Sequence, residues 1–281
     1  MTRVLAIYRE ERFSPNAVER DKAILDAAAD IIRSMGLTVD TVKEQHLACG
    51  MEADAYLTMA RSDAAIGILA QKERTGAVVM NRPAAVRACA RDRVDALMRA
   101  DGLPAAPLQG AGGYWIKRAD EAAQCADDVC YVADETEKDK ALQRFAGRGI
   151  SRLVVTAHVR GDLVKFYGVR GTGFFRFFYP TDDGMWKFDD ERINGRAHHF
   201  RFSEDSLQKD AERLACLTGT DIYGGDCIVR ADGSYAIIDF NDFPSFSRCR
   251  RDAAEAIAAL VVKVLDGRHG DGIRGCRDLK K

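Results

Sequence analysis

Two aspartates and an asparagine in the last quarter of the chain have the types and spacing of a metal site. The stretch Tyr223 to Phe246 holds two apolar runs, Cys227 to Val229 and Tyr235 to Ile238, around Asp232-Gly233. That dipeptide favours a two-residue hairpin turn, because both turn positions need positive φ. Such a turn pairs Val229 with Ala236 and Ile228 with Ile237. Continuing the register sets Asp226 directly opposite Asp239, and Asn241 shares their face. Residues so opposed stand about 5 Å apart at Cβ, and like charges there are destabilising unless something positive lies between them. A hard cation with oxygen ligands, Mg²⁺ before others, would supply it. The alternative is a solvated face with incidental acids. Against that, this register puts Ile228 and Ile237 on the acids' face and Cys227, Val229, Ala236 and Ile238 on the other, so both faces are apolar.

Other residues could act on anions. Arg170 precedes, and Arg176 lies within, an aromatic-rich stretch, Gly171 to Tyr179, that reads as a core strand or a pocket wall. Arginine donates bidentately to carboxylate or phosphate, so either could steady a transferring phosphoryl group. Arg248, with Ser245 and Ser247, follows the acidic hairpin. A candidate pocket lies between the end of that hairpin and the loop of Ser14, Pro15 and Asn16. Its polar residues are donors, which suits a carboxylate and its developing oxyanion. His198-His199 is a poor metal pair, since adjacent strand residues face opposite ways.

The elements that must position these residues follow from periodicity. Arg3 to Tyr8 and Leu37 to Val42 read as strands around a helix from Arg20 to Met35, closed by Gly36. Glu52 to Arg61 reads as a short helix, Ala64 to Leu69 as a third strand and Val78 to Met80 as a fourth. Alternating strands and helices imply an open parallel α/β domain, with ligands at the carboxyl ends of its strands. Ala84 to Ala100 reads as one helical segment. Gly102 and Pro104 break the chain there and set a boundary between residues 103 and 104. Tyr114 to Lys117, Arg152 to Val159 and Leu163 to Val169 read as strands, with a turn at Arg160-Gly161-Asp162. Lys138 to Phe145, Leu207 to Leu217 and Arg251 to Leu265 read as helices, and residues 268–281 as a frayed tail.

Composition bounds the rest. The 281 residues can bury a sizeable core in two or three modest domains. Lysine plus arginine (42) nearly balance aspartate plus glutamate (43), which gives no support for nucleic-acid or membrane-surface partners. No apolar run reaches the roughly 18 residues of a membrane span, and no signal peptide opens the chain. The eight cysteines are scattered without a Cys-x-x-Cys pair and read as reduced thiols of a cytoplasmic protein.

The hairpin resembles the metal-binding end of ATP-grasp enzymes, where an Asp on one strand and an acidic-x-Asn sequence on the next hold the Mg²⁺ of ATP. Asp226, Asp239, Asn241 and Pro244 match that pattern, with Asp239 where many members have Glu. The closest-looking relatives are small ligases of the D-alanine–D-alanine ligase, glutathione synthetase and ribosomal-protein glutamate ligase type. The resemblance implies an α/β pre-domain (1–103) followed by two α+β lobes (104–158 and 159–267) that clasp ATP. It also matches the passage of an Asn before a helix (Asn81), a basic residue within the helix, and "Gly-x-Pro". Lys117 corresponds to the lysine that reaches the α-phosphate, and Lys165 to the second phosphate-binding lysine. Thr156, Ala157, His158 and Val159 correspond to the hinge that binds adenine through its backbone. Two departures stand out: no Gly-rich loop follows Lys117, and no Glu stands in the hinge.

The function so implied is an ATP-dependent ligase that joins a carboxylate to an amine, or a thiol, through an acyl phosphate. Its partners would be small molecules, and the chain leaves the oligomeric state open. The alternatives are an ATP-grasp small-molecule kinase and a non-catalytic nucleotide-binding protein. A kinase acting on a polyanion should show clustered cations, and the balanced overall charge speaks against it.

Overall fold

Short apolar segments of the first eighty residues line up as a parallel sheet. In the computed structural model, which describes residues 2–120, 125–183 and 193–267, its order is β2-β1-β3-β4. The strands are β1 (Arg3–Tyr8), β2 (Thr38–Lys43), β3 (Ala55–Thr58) and β4 (Val78–Met80). Val4, Ala6, Ile7, Tyr56 and Leu57 are fully buried, since both faces of a parallel sheet are covered and the strands read as continuous apolar runs. Helix α1 (Val18–Ser34) joins β1 to β2, and Gly36 (φ +88°) ends it in the left-handed region.

Between residues 52 and 74 the expected order of elements is inverted. The helix expected over Glu52 to Arg61 is strand β3, and the strand expected over Ala64 to Leu69 is helix α2 (Asp63–Arg74). All four residues of β3 are buried between β1 and β4, so no alternation marks it as a strand. The Ser62 side chain accepts the Ala65 N–H and caps α2, whose buried positions Ala65, Ile66, Leu69 and Lys72 recur at helical spacing. The segment expected as one helix from Ala84 to Ala100 is two, α3 (Pro83–Ala88) and α4 (Arg91–Ala100).

A three-stranded antiparallel sheet follows, ordered β6-β5-β7, with β5 (Tyr114–Arg118), β6 (Val129–Val132) and β7 (Leu153–Ala157). Helix α5 (Glu135–Gly147) backs it, and Tyr114, Ile116, Val132, Ala141 and Phe145 form a separate small core. The second antiparallel sheet runs β11-β10-β8-β9. Its elements are β8 (Asp162–Val169), β9 (Phe174–Phe178), the short helix α6 (Pro180–Asp183), α7 (Glu204–Thr218), β10 (Ile222–Val229), β11 (Tyr235–Asp242) and α8 (Arg250–Gly267). The expected tail, 268–281, lies outside the described residues.

One core ties the first sheet to the last, and a second ties α4 to the last sheet. Val4, Ala6, Ile24 and Ile32 pack with Tyr167, Phe243, Phe246, Ile257 and Val261 in one cluster, so α8 covers α1. Val94 and Met98 of α4 pack with Val164, Phe166, Leu214 and Phe240. Helix α4 lies before the boundary at residue 103, yet its apolar face belongs to the last sheet. The linker itself runs beside β11, where the Ile237 N–H donates to the Pro104 carbonyl at 2.7 Å. Asn81, fully buried, accepts the Asp221 and Ile222 N–H groups and donates to the Ile222 carbonyl, each at 2.8 Å. Six of the described cysteines, Cys49, Cys89, Cys125, Cys130, Cys227 and Cys249, are free.

Candidate active site

The acidic hairpin reaches its expected pairing by an unexpected route. The Arg230 N–H donates to the Ser234 carbonyl (2.8 Å) and the Gly233 N–H to the Arg230 carbonyl (3.0 Å). The loop is therefore Ala231-Asp232-Gly233, three residues rather than two, with Gly233 at φ +83°. Val229 pairs with Tyr235, Ile228 with Ala236 and Cys227 with Ile237. A bulge then leaves Ile238 without a partner, and Asp226 falls opposite Asp239. The longer loop and the bulge each shift the register by one residue and cancel. Their net effect is to exchange faces: Ile237 joins Cys227 and Val229 in one core, and Ala236 joins Ile228 in another. Bulges re-aim groups next to binding sites, and here the carbonyl of Ile238 accepts a hydrogen bond from Lys117 Nζ at 2.8 Å.

Three strands and a helix converge on the acids. Lys165 of β8 stands opposite Asp226 in the β8–β10 register, with Nζ 3.1 and 3.2 Å from the two carboxylate oxygens. Arg91, first residue of α4, places Nε 3.9 Å from Asp239 Oδ1 and donates to the Arg118 carbonyl at 3.0 Å. Asn241 Nδ2 donates to Asp239 Oδ2 at 3.2 Å. Burial would push the Asp239 carboxyl up. Arg91, Lys117, the Asn241 hydrogen bond and Lys165 outweigh it and hold the group below the usual carboxylate range. Burial pushes the Lys117 ammonium down, and Arg91 and Lys165 add to this against the pull of Asp239 and Asp226. Gly225, beside Asp226, leaves no room for a side chain: a Cβ there would stand 2.4 Å from both the Asp239 carbonyl and the Phe166 ring.

These residues wall one end of a cavity of about 1070 Å³. The other end is built from the loops after β1 and β3 and the segment after β11, where open α/β sheets place ligands. Arg9 donates to Asp21 (3.1 Å) and lies 3.8 Å from Asp242, and Arg61 donates to Asp242 at 2.6 Å. Ser14 Oγ donates to Asp21 at 2.7 Å. Glu44, buried behind them, accepts the N–H groups of Glu10 (2.9 Å) and Arg61 (3.0 Å). Phe243 (φ +34°) and Phe246 (φ +47°) are non-glycine residues in the left-handed region. Both rings are fully buried, and this anchoring holds a strained segment whose Ser245, Ser247 and Arg248 line the cavity.

Most of the residues singled out in the sequence therefore share one wall. Lys117, Lys165, Asp226, Asp239, Asn241, Thr156, Ala157, Val159 and Arg248 all line the cavity. His158 does not; its Nδ1 accepts from Trp115 Nε1 at 3.0 Å, and its own N–H donates to the Gly113 carbonyl. The Ala157 N–H is likewise engaged, by the Pro107 carbonyl at 2.7 Å. Arg170 and Arg176 are corrections. Arg170 follows the end of β8 and pairs with Asp221 (Nε to Oδ1 3.1 Å). Arg176 lies over the Phe174 ring and 3.5 Å from Asp252 of α8. Neither lines the cavity, because β9 is a core strand whose aromatic side chains fill the two main cores. His198 contacts Asp162 and stacks on Phe200.

Residues not singled out complete the site. Arg91 was hidden by the break between α3 and α4. Arg61 was hidden by the inversion of β3 and α2, while Arg9 follows directly from the carboxyl end of β1. Among the described residues no group of three or more His, Cys, Asp and Glu side chains gathers as a metal cluster. A cation at the hairpin would rest on Asp226, Asp239 and the amide oxygen of Asn241, with phosphate or water oxygens in its other positions. That all-oxygen donor set fits Mg²⁺.

No protein-family model matches the chain, and no curated protein matches it either. Solved structures do. D-alanyl-alanine synthetase A from Vibrio cholerae superposes with a TM-score of 0.68 at 12% identity, covering 94% of this chain and 98% of that one. A D-alanine–D-alanine ligase from Bacillus anthracis, complexed with ATP, gives 0.64 at 9% identity over 95% and 99%. The ATP-grasp ligase PsnB, with Mg, ADP and a phosphomimetic variant of its minimal precursor, gives 0.59 at 14% over 91% and 97%. The chain has the ATP-grasp fold.

Proposed function

We propose that the protein is an ATP-dependent ligase that activates a carboxylate and joins it to an amine. ATP would lie between the two antiparallel sheets. Lys117, Lys165 and Arg91 would hold its phosphates, and Thr156, Ala157 and Val159 would border the base. Asp226, Asp239 and Asn241 would hold Mg²⁺, which neutralises phosphate charge when bound. In support, neighbours of the same fold were solved with ATP, and with Mg and ADP. The acids and lysines of this chain meet at one point of one cavity. For phosphate closure, Arg91 from α4 stands where the sequence offers no Gly-rich loop. A cytoplasmic setting belongs to the same reading; no helix among the described residues is long and apolar enough to cross a membrane.

One observation favours a carboxylate over a hydroxyl as the group that receives the phosphoryl. The substrate end is lined by donors, namely Arg61, Arg248, Ser245 and Ser247, and two of its three carboxylates, Asp21 and Asp242, are tied to arginines, while the third, Asp63, opens α2. Among the described residues lining the cavity there is no histidine and no glutamate. A kinase needs a group to take the hydroxyl proton, whereas a carboxylate arrives without one. Arginine and serine donors would orient it and stabilise the oxyanion that forms when an amine attacks the acyl phosphate. The test is hydroxylamine trapping. With ATP, Mg²⁺ and a panel of carboxylic acids, a hydroxamate and equimolar ADP are expected. A stable phosphomonoester without hydroxamate would make the protein a kinase.

A further inference from the structure

Beside the phosphate-facing lysines the cavity holds an aromatic group that phosphate binding does not use. Trp115 and Lys117 stand two residues apart on β5 and both line the cavity, about 7 Å from each other along the strand. Lys117 reaches the carbonyl of Ile238, which sets β5 over the last sheet, and Leu163, Ile228 and Ile238 of that sheet line the cavity with Trp115. Trp115 pairs with Tyr131 of β6, and their ring centres stand 5.7 Å apart. His158, outside the cavity, closes the group at 6.3 Å from Trp115 and 5.4 Å from Tyr131. The polar atoms of both rings are spent within the protein. Trp115 Nε1 donates to His158 Nδ1 at 3.0 Å, and the Tyr131 hydroxyl donates to the Gly112 carbonyl at 2.9 Å. What the indole offers a ligand is therefore π surface, the sequence-tolerant contact on which nucleobases stack. An indole N–H can only donate, so the His158 that accepts it is neutral, with its proton on Nε2. The groups packed on His158 are the Trp115 indole, the Tyr131 phenol and the turn of Gly112 and Gly113, with Arg160 two residues on; none is a carboxylate that would hold an imidazolium in place. A proton on Nδ1 would set two donors 3.0 Å apart and free the indole.

We propose that the nucleotide base stacks on Trp115 and that His158 is a positioning residue whose neutral Nδ1 holds the indole in place, so that protonating His158 weakens nucleotide binding. This rests on the reading of the cavity as a nucleotide site and is independent of whether the enzyme is a ligase or a kinase. The acid response falls below about pH 6.5, because burial and Arg160 hold the imidazole below its ordinary range.

The test is calorimetric binding of a non-hydrolysable ATP analogue with Mg²⁺ between about pH 7.5 and 5. Trp115→Ala should weaken the analogue about fivefold or more at neutral pH, whereas inorganic triphosphate, which has no base, should bind both proteins equally. His158→Asn places an amide oxygen where Nδ1 stands and does not titrate. Comparison with it cancels the protonation of the nucleotide itself, and the native protein should lose about threefold more affinity than this variant as pH falls. His158→Leu, without an acceptor, should bind weakly at every pH, and Trp115→Phe, without an N–H to hold, should show no acid response beyond that of His158→Asn. Trp115 and Trp186 are the two tryptophans of the chain, so Trp186→Phe leaves Trp115 as the one emitter, and its emission should change when the analogue binds. Should Trp115→Ala not fold, that emission and Trp115→Phe decide. An acid response identical in the native protein and His158→Asn, undiminished affinity in Trp115→Ala, or emission indifferent to the analogue overturns the inference and leaves the nucleotide reading standing. Failure of the native protein to bind the analogue at any pH removes both.

Discussion

Asp239→Asn separates the contribution of the proposed Mg²⁺ from everything else in the site. The substitution keeps the shape of the side chain and removes one of two carboxylates. At about 4 Å and an effective dielectric of about 20, a unit charge pair is worth about 4 kcal/mol, and each charge of a divalent cation adds to that. Discounting for water and the remaining ligands leaves about 2–3 kcal/mol, or a roughly 30- to 150-fold loss in apparent Mg²⁺ affinity. The electrostatics predict an opposite movement without metal. Asp239 lies 3.9 Å from Arg91 and holds Lys117 charged against burial. Removing it leaves Arg91, Lys117 and Lys165 facing Asp226 alone, a better surface for a bare triphosphate. Titrating a fluorescent ATP analogue with Mg²⁺ and with EDTA reads both. The variant should bind more weakly with Mg²⁺ and equally or more tightly with EDTA. The fold should survive, with a thermal midpoint within about 3 °C, since a partly solvated carboxylate contributes on the order of 1 kcal/mol. Mg²⁺ strengthening nucleotide binding equally in both proteins would refute the assignment of Asp239.

Lys117→Met should cost at least about tenfold in nucleotide affinity. Because burial opposes the charge of Lys117, the apo thermal midpoint should hold or rise, as differential scanning fluorimetry can check. Gly225→Ala forces a Cβ to 2.4 Å from a backbone carbonyl and the Phe166 ring, and should destabilise by about 3 kcal/mol or more in a urea titration. Arg170→Ala should lose about 0.5–1 kcal/mol with its Asp221 pair and leave nucleotide affinity unchanged. Burial and Arg160 hold the His158 imidazole below its ordinary range, so the folded protein takes up this proton less readily than the unfolded chain. The associated stability is complete above about pH 6.5 and declines as pH falls toward the lower folded value. His158→Gln should flatten that part of the melting profile between about pH 7.5 and 5.5.

The acids, the lysines and the fold were legible in the sequence because they depend on local pattern. Asp226 and Asp239 were paired from the hairpin turn alone, and the pairing held although the loop is one residue longer and Ile238 bulges out. Two errors of one residue cancelled, which a period-2 pattern cannot reveal. The contact of Lys165 with Asp226 was not legible, since it depends on how β8 meets β10 across sixty residues. Arg170 and Arg176 were misplaced for the same reason: residue type permits anion binding, but only packing decides which way a strand faces. Arg61 was lost with its element, because Ala55 to Thr58 is buried on every side and carries no alternation. The Ser62 cap at the start of α2 was the available signal.

The shared core of the first and last elements also bears on how the chain is made. Val4, Ala6, Ile24 and Ile32 finish their packing only against Phe243, Phe246, Ile257 and Val261. A ribosome releases residues in order, so the first sheet emerges with one flank bare while most of the chain is still unwritten. Until α8 clears the exit tunnel, α1 exposes apolar side chains that nothing encoded before residue 160 is placed to cover. The middle sheet has its own core within residues 114–157 and can close early. Folding during synthesis should therefore begin in the middle sheet and end when α8 closes over α1.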